Sequence, residues 1–390
     1  MSETIRKTFK YRLFVSKKQA NILDKQLEEC RWVYNQTLAL RRDAWTDEHR
    51  SISLYDTNKL LTQFKASRPS LYTVNAQVLQ NVQERVDLAF QAFFRRVKSG
   101  EQEVGYPRFK GYLRYDSLTF KQPAASCEIK QGKLKVSKVG NIKLVLHRPI
   151  PGTIKTVTLT RSATGKWYAC FSVEVEPKRL PPHPKQVGID VGLKTFATLS
   201  DGVEIENPRF FRVEEKALAK ANRKLAKTPK PARGERATKE RCRARKVVAR
   251  VHERTQWRRS NFTHQASRKI VNGYGLIAVE DLNVNRMVHN HCLAKSIADA
   301  AWSSFFNQLS SKAAEAGRQF IKVNPAYTSQ TCSDCGHRAS VKLTLSDRIF
   351  DCECCNLHID RDLNAALNIK SLGLQAVSLP QDAPAFRRGE

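Results

Sequence analysis

The 390-residue chain carries 68 Lys plus Arg against 37 Asp plus Glu, a formal net charge of +31. A surplus of that size opposes compaction unless a polyanion neutralises it, so nucleic acid is the default partner and a basic structural protein, such as a ribosomal one, is the alternative. The length allows two or three domains with their own cores; no run is long enough for a transmembrane helix and residues 1–7 lack the apolar core of a signal peptide, so a soluble, cytoplasmic protein is expected.

Residues 4–15 alternate with period two, Ile5, Lys7, Phe9, Tyr11 and Leu13 against Arg6, Thr8, Lys10 and Arg12, and predict a strand. Ser16 is placed to cap a helix with Ala20, Leu23, Leu27, Cys30, Trp32 and Val33 on one face and Lys17, Lys18, Lys25 and Arg31 on the other. A second long helix is predicted over residues 76–98, after Pro69 and Asn75, with Val78, Val82, Val86, Phe90, Phe93 and Val97 as its inward stripe. Its other side presents Gln77, Gln80, Asn81 and Glu84. Amide side chains can read adenine edges in pairs of hydrogen bonds; a solvated polar face is the other reading.

Aromatics interleave with Lys and Arg over residues 105–122. That pattern suits base stacking beside phosphate contacts, and equally an ordinary loop and edge strand. Residues 127–176 read as successive strands punctuated by Gly132, Gly140-Asn141, Pro151-Gly152 and Thr164-Gly165. With residues 4–15 they predict a small barrel interrupted by helices, followed by a proline-rich linker at 177–184.

The second half opens on a strand ending at Asp190, a bend, a second strand and a hairpin turn at Asp201-Gly202. Residues 212–270 predict two very basic helices broken at residues 229–234; the one-sided charge favours a polyanion track. Leu276 to Leu282 reads as a buried strand ending in acid at Glu280, residues 297–316 as one helix, and residues 319–323 as a strand. After Ile369 the pattern stops supporting a core.

Cys332, Cys335, Cys352 and Cys355 form two CxxC pairs separated by sixteen residues. Four thiolates at this spacing predict a closed, structural zinc site with no open position for catalysis. Cys354 is a bystander, and Cys30, Cys127, Cys170, Cys242 and Cys292 show no disulfide framework, which points to a reducing compartment.

Two strand-end acids, Asp190 and Glu280, and a third on a helix, Asp362, fit an RNase H-like centre in which carboxylates from different elements hold hard divalent ions for phosphodiester hydrolysis. Taken singly, Asp190 also reads as a turn residue, Glu280 as a surface strand end and Asp362 as an N-cap of the helix that follows.

The runs Gly188-Ile-Asp-Val-Gly-Leu, Val279-Glu-Asp-Leu-Asn-Val, Lys295-Ser-Ile-Ala-Asp-Ala, Val323-Asn-Pro-Ala-Tyr-Thr-Ser-Gln-Thr-Cys-Ser-Asp-Cys-Gly and Asp360-Arg-Asp-Leu-Asn-Ala-Ala-Leu-Asn-Ile resemble the TnpB (OrfB) proteins of bacterial insertion sequences, relatives of type V CRISPR effectors. Tyr11-Arg-Leu-Phe and Cys30-Arg-Trp-Val-Tyr-Asn add to the resemblance. It implies a multidomain α/β protein: a wedge β-barrel from residues 1–15 and 99–180, a helical recognition region at 16–98, a RuvC-like nuclease domain from 185–325 and 359–372, an inserted zinc ribbon at 326–358 and a disordered tail at 373–390.

The implied activity is RNA-guided cleavage of target DNA beside a short adjacent motif, by a two-metal mechanism. Asp190, Glu280 and Asp362 would be the catalytic acids, with Asp362 preferred over Asp360 because it directly precedes the x-Asn-Ala-Ala run. The implied cofactors are two Mg²⁺ ions at the acids and one structural Zn²⁺, and the partners a guide RNA and double-stranded target DNA, without membrane, the protein being a monomer with its RNA. Since the family places motif recognition in the N-terminal region, Gln77, Gln80 and Asn81 become candidate readers of that motif. The alternatives are an RNA-guided repressor that binds without cutting and a transposase-associated accessory protein.

Overall fold

A computed structural model describes residues 4–101, 103–232, 235, 237–340, 343 and 347–378. The chain divides into two compact units, Met1–Glu176 and Pro177–Glu390.

In the first unit, strands β1 (Ile5–Phe14), β2 (Ser117–Phe120), β3 (Cys127–Lys130), β4 (Lys133–Val136), β5 (Gly140–Val145), β6 (Thr153–Arg161) and β7 (Trp167–Val175) form one antiparallel sheet in the order β2-β6-β7-β1-β5-β4-β3. It is a nearly closed barrel sheet. The pleat decides which residues go inside, since alternate side chains face opposite ways. Trp167, Ala169, Phe171 and Val173 point in from β7, and Tyr11 and Leu13 meet them from β1, paired in the register Ile5 to Val175 through Leu13 to Trp167.

Helices α1 (Lys17–Glu48), α2 (Leu54–Ser67) and α3 (Ala76–Lys98) fill the interval between β1 and β2. The cap expected at Ser16 is a reciprocal box with Gln19, an arrangement that contributes about 1 kcal/mol. Helix α2 was not anticipated, although the same box, Ser53 with Asp56, marks its start. On α3 the apolar stripe is buried from Val78 to Phe90. Its expected continuation fails: Val97 is 51 % exposed, because the last turns run past the buried cluster.

In the second unit, β8 (Gln186–Asp190), β9 (Thr195–Leu199), β10 (Glu204–Glu206), β11 (Leu276–Glu280) and β12 (Gln319–Val323) form a five-stranded sheet ordered β10-β9-β8-β11-β12. β8, β11 and β12 run parallel; β9 and β10 are antiparallel additions. The basic segment forms α4 (Phe210–Ala226) and α5 (Lys239–Gly273), with Lys216, Lys220, Arg223, Lys224, Arg243, Arg245, Lys246 and Arg250 exposed along them. Of the expected break at residues 229–234, Arg233 and Gly234 lie outside the described residues. After a short α6 (Val284–Met287), the single helix expected over 297–316 is two, α7 (Ala294–Ala300) and α8 (Trp302–Ala316). Ala301 between them takes a left-handed φ of 57°, which ends one helix and starts the other.

Val187, Ile189, Ile277 and Val279 face a core with Ile270, Phe305 and Leu309. The opposite face, Leu276 and Ala278 among it, packs on α9 (Arg361–Ser378) through Ile369 and Leu374. Gly188 and Gly373 make that packing close. A Cβ at Gly188 would sit 2.1 Å from the Ala366 carbonyl oxygen, and one at Gly373 would sit 2.5 Å from the Ala278 Cβ. Helix α9 reaches Ser378, so a tail beginning at 373 is corrected: Gly373 is buried and Leu374 packs on the sheet. The rest of the expected tail, residues 379–390, lies outside the described residues.

Candidate metal centres

The acids follow from the sheet. Positions two apart on a strand share a face, so Asp190 continues the Gly188 row and Glu280 the Ala278 row. Ile189 pairs with Val279; one step further, Asp190 and Glu280 stand side by side where parallel β8 and β11 end. Openings at the carboxyl ends of parallel strands are where α/β sheets place ligands. Helix α9 lies on the same face and brings Asp362 in its first turn.

Asp190 feels the other two carboxyls. Burial, then the charges of Glu280 and Asp362, push Asp190 up to about 8. Burial also raises Glu280, against a hydrogen bond from the Thr328 hydroxyl that lowers it. Like charges in a desolvated site favour the protonated form, and a bound cation relieves that repulsion. All the donors are oxygens, the set preferred by hard divalent ions. The acids are spread wider than one tight coordination shell: among the described residues, only the four thiols have ligand atoms all within 4.8 Å of one another.

Asp360 and Asp362 separate cleanly. Asp360 is exposed, and its Oδ1 accepts the backbone N–H groups of Asp362 (2.9 Å) and Leu363 (3.0 Å). It is therefore Asp360 that caps the helix, and the capping alternative for Asp362 falls away. Arg348 was not anticipated. Its carbonyl accepts the Arg361 N–H at 2.8 Å, and its Nη1 lies 3.6 Å from Asp362 Oδ2. Arg361 Nη2 lies 3.6 Å from the other Asp362 oxygen. Arg348 shares no motif with the acids and so carries no spacing signal; only the fold of the cysteine module delivers it.

That module contains the strand pair β13 (Ile349–Asp351) and β14 (His358–Asp360) and two knuckles of one design. Cys332 N–H donates to the His337 carbonyl, and Gly336 N–H returns to the Cys332 carbonyl. Cys352 N–H donates to Leu357, and Asn356 N–H returns to Cys352. Gly336 (φ 75°) and Asn356 (φ 59°) occupy the same left-handed position, which Gly and Asn tolerate best. Cys332 Sγ lies 3.5 Å from Cys355 Sγ, and Cys335 Sγ 3.5 Å from Cys352 Sγ. These separations are far beyond a disulfide bond and close to the edges of a four-thiolate metal tetrahedron. Backbone N–H groups of Cys355, then Cys354, draw the Cys352 thiol down, toward the ligating thiolate. Cys354 itself is exposed and outside the cluster.

In the first unit, Gln80 is exposed. Gln77 Oε1 accepts the Gln122 N–H at 3.0 Å. Asn81 is engaged at both ends, donating to Glu84 Oε2 (3.0 Å) and accepting from Arg85 Nε (2.9 Å). Tyr106, Phe109 and Tyr112 of the aromatic and basic stretch are exposed. No helix among the described residues is long and apolar enough to cross a membrane.

Three family models match the chain: one described as "Helix-turn-helix domain" at residues 1–50, one as "Probable transposase" (OrfB_IS605) at 170–291, and one as "Cas12f1-like, TNB domain" at 302–369. Over residues 4–50 the structure shows a strand and one long helix rather than a helical pair. The second match spans Asp190 and Glu280; the third spans the four cysteines and Asp362. The chain is 32 % identical over 382 residues to a Streptomyces pristinaespiralis protein provisionally described as an RNA-guided DNA endonuclease, covering 96 % of this chain and 91 % of that one. It is 31 % identical over 341 residues to the CRISPR-associated endodeoxyribonuclease Cas12f1 of Sulfoacidibacillus thermotolerans, covering 76 % and 77 %.

A cryo-EM structure of a Cas12f1–sgRNA–target DNA complex is similar in fold, with a TM-score of 0.58 at 16 % identity over 94 % of this chain and 99 % of that one. The paired zinc-ribbon-like knuckles, the nearly closed barrel sheet and full-length similarity agree: the chain belongs to the TnpB (OrfB) family, related to the type V CRISPR effectors.

Proposed function

We propose that this protein is an RNA-guided DNA endonuclease that cuts target DNA at Asp190, Glu280 and Asp362. The observation that carries the reading is their convergence: three acids from β8, β11 and α9 meet at one sheet end, with Asp190 raised by burial and then by the charges of the other two. Two Mg²⁺ ions would be held by these carboxylates, and when bound they supply an activated water and a stabilised leaving oxygen. Asp190 and Glu280 orient from the strand ends, Asp362 closes the site from the helix, and Arg348 sets a positive charge beside Asp362.

Zn²⁺ would be held by Cys332, Cys335, Cys352 and Cys355, closed and structural, fixing the module that carries Arg348. The partners are a guide RNA, which reads sequence by pairing, and double-stranded target DNA, whose shape and adjacent motif the protein reads. The exposed basic residues of α4 and α5 give a track for a phosphate backbone. Of the three amides, Gln80 would be the one to touch a base edge; in its favour, Asn81 is engaged at both ends and Gln77 partly so.

The test is expression with flanking DNA, sequencing of the copurifying RNA, and incubation of the complex with DNA matching its variable end beside a randomised motif. Mg²⁺-dependent cutting that follows the RNA sequence is expected. Protein that retains no discrete RNA and leaves matched DNA intact with Mg²⁺ overturns the proposal.

A further inference from the structure

The turn leading into the first cysteine knuckle makes two sets of contacts that a metal-binding module does not need. Thr328, four residues before Cys332, is buried, and its hydroxyl donates to Glu280 Oε1. The same oxygen lies 3.3 Å from the Pro325 carbonyl. One proton cannot serve both acceptors fully, and the charged carboxylate is the stronger acceptor.

The turn is also gripped from α9. Asn368 Nδ2 donates to the carbonyls of Thr328 (2.9 Å) and Thr331 (2.6 Å). Asn364, fully buried, donates to the Thr331 carbonyl at 2.8 Å and accepts the Ser333 N–H at 2.9 Å. The helix that supplies Asp362 therefore clamps the turn, and the turn holds Glu280. This closes a loop from one acid to another that passes through the root of the cysteine module.

We propose that Thr328 is a positioning residue for Glu280: its hydroxyl fixes one carboxylate oxygen and leaves Oε2 to take a divalent ion, while Asn364 and Asn368 hold the turn in register with Asp362. This rests on the function proposed above. A turn threonine bonded only to Pro325 would be the structural alternative, and it makes a different prediction for cation binding.

The experiment compares wild type, Thr328→Val and Thr328→Ser as protein–RNA complexes. It measures Mn²⁺ binding by calorimetry, Mg²⁺ dependence of cutting, and zinc content. Val keeps the shape and removes the donor; a hydrogen bond to a charged group is worth about tenfold or more. Thr328→Val should retain its zinc and RNA, bind Mn²⁺ about tenfold more weakly, and need correspondingly more Mg²⁺ to cut. Thr328→Ser should restore both midpoints to within about twofold, since it keeps the donor.

Equal Mn²⁺ and Mg²⁺ midpoints in wild type and Thr328→Val would overturn the positioning role while leaving the nuclease reading intact. So would equal impairment of the Ser and Val variants. Asn368→Ala guards against a folding failure of Thr328→Val: weakened Mn²⁺ binding with zinc retained is expected, and unchanged binding counts against the clamp. A wild-type complex that neither binds Mn²⁺ nor cuts removes both the function and the positioning role.

Discussion

The thiols and the acids are built from the chain in opposite ways. The outer thiols are only 23 positions apart, and each knuckle repeats one local hydrogen-bond scheme with a left-handed residue after its second cysteine. The acids come from positions 190, 280 and 362 and meet only if β8 and β11 hold their register and α9 lies flat on the sheet. The thiol site is thus a property of a short segment, whereas the acid site is a property of the whole nuclease sheet. Damage to the first should first appear as lost metal and stability, and damage to the second as lost chemistry in a folded protein.

The largest expected effect is on the acids themselves. Asp190→Ala or Glu280→Ala should reduce cutting by about three orders of magnitude, as expected when several kcal/mol of metal-borne stabilisation is removed. Copurifying RNA should be unchanged, because the exposed basic surface is untouched; cleavage assays and RNA yield check both. Cys332→Ser should cost several kcal/mol of stability along with the zinc, since a closed thiolate site contributes to folding. Cys354→Ser should keep both; metal analysis and thermal denaturation compare the pair. Gly188→Ala sharpens the contrast from the other side. Its Cβ would meet the α9 backbone at 2.1 Å, and overpacking of this kind costs about 1–3 kcal/mol. Zinc should remain bound while cutting falls, because the helix carrying Asp362 is displaced.

How much of this was legible follows from the same distinction. Cys332, Cys335, Cys352 and Cys355 could be read from spacing, because one metal imposes one spacing. Asp190 and Glu280 could be read as acids closing apolar strands, and Ser16 as a cap, since each signal is local. Asp362 needed the motif that follows it, and the geometry then gave Asp360 the capping role. Arg348, Thr328 and the clamp by Asn364 and Asn368 were not legible. Their partners lie up to 48 positions away, and nothing in a Thr or Asn at those positions announces a long-range bond. The break at Ala301 was hidden for a related reason: alanine favours helix, and tertiary packing overrode that preference.

Smaller effects test the electrostatics and the recognition surface. Burial, then the charges of Glu280 and Asp362, push the folded Asp190 carboxyl up to about 8, so the folded state holds more protons than the unfolded state between about pH 4 and 8. Without added divalent ions, stability should therefore fall as pH rises through that window. Asp190→Asn should flatten the fall, and melting temperatures at pH 5 and pH 8 read the difference. Gln80→Ala should change preference at one position of the adjacent motif by about tenfold, the lower end of a bidentate amide contact, and leave salt dependence nearly unaltered. An unaltered motif profile would assign Gln80 to a solvated face.

The most direct measurement pairs two neighbouring aspartates. Purified complexes of wild type, Asp362→Ala and Asp360→Ala are incubated with guide-matched DNA and Mg²⁺, and initial cutting rates are compared at equal RNA occupancy. The account predicts no cutting by Asp362→Ala and near-normal cutting by Asp360→Ala, whose loss is a helix cap worth about 1 kcal/mol. Full cutting by Asp362→Ala together with inactivity of Asp360→Ala would contradict it.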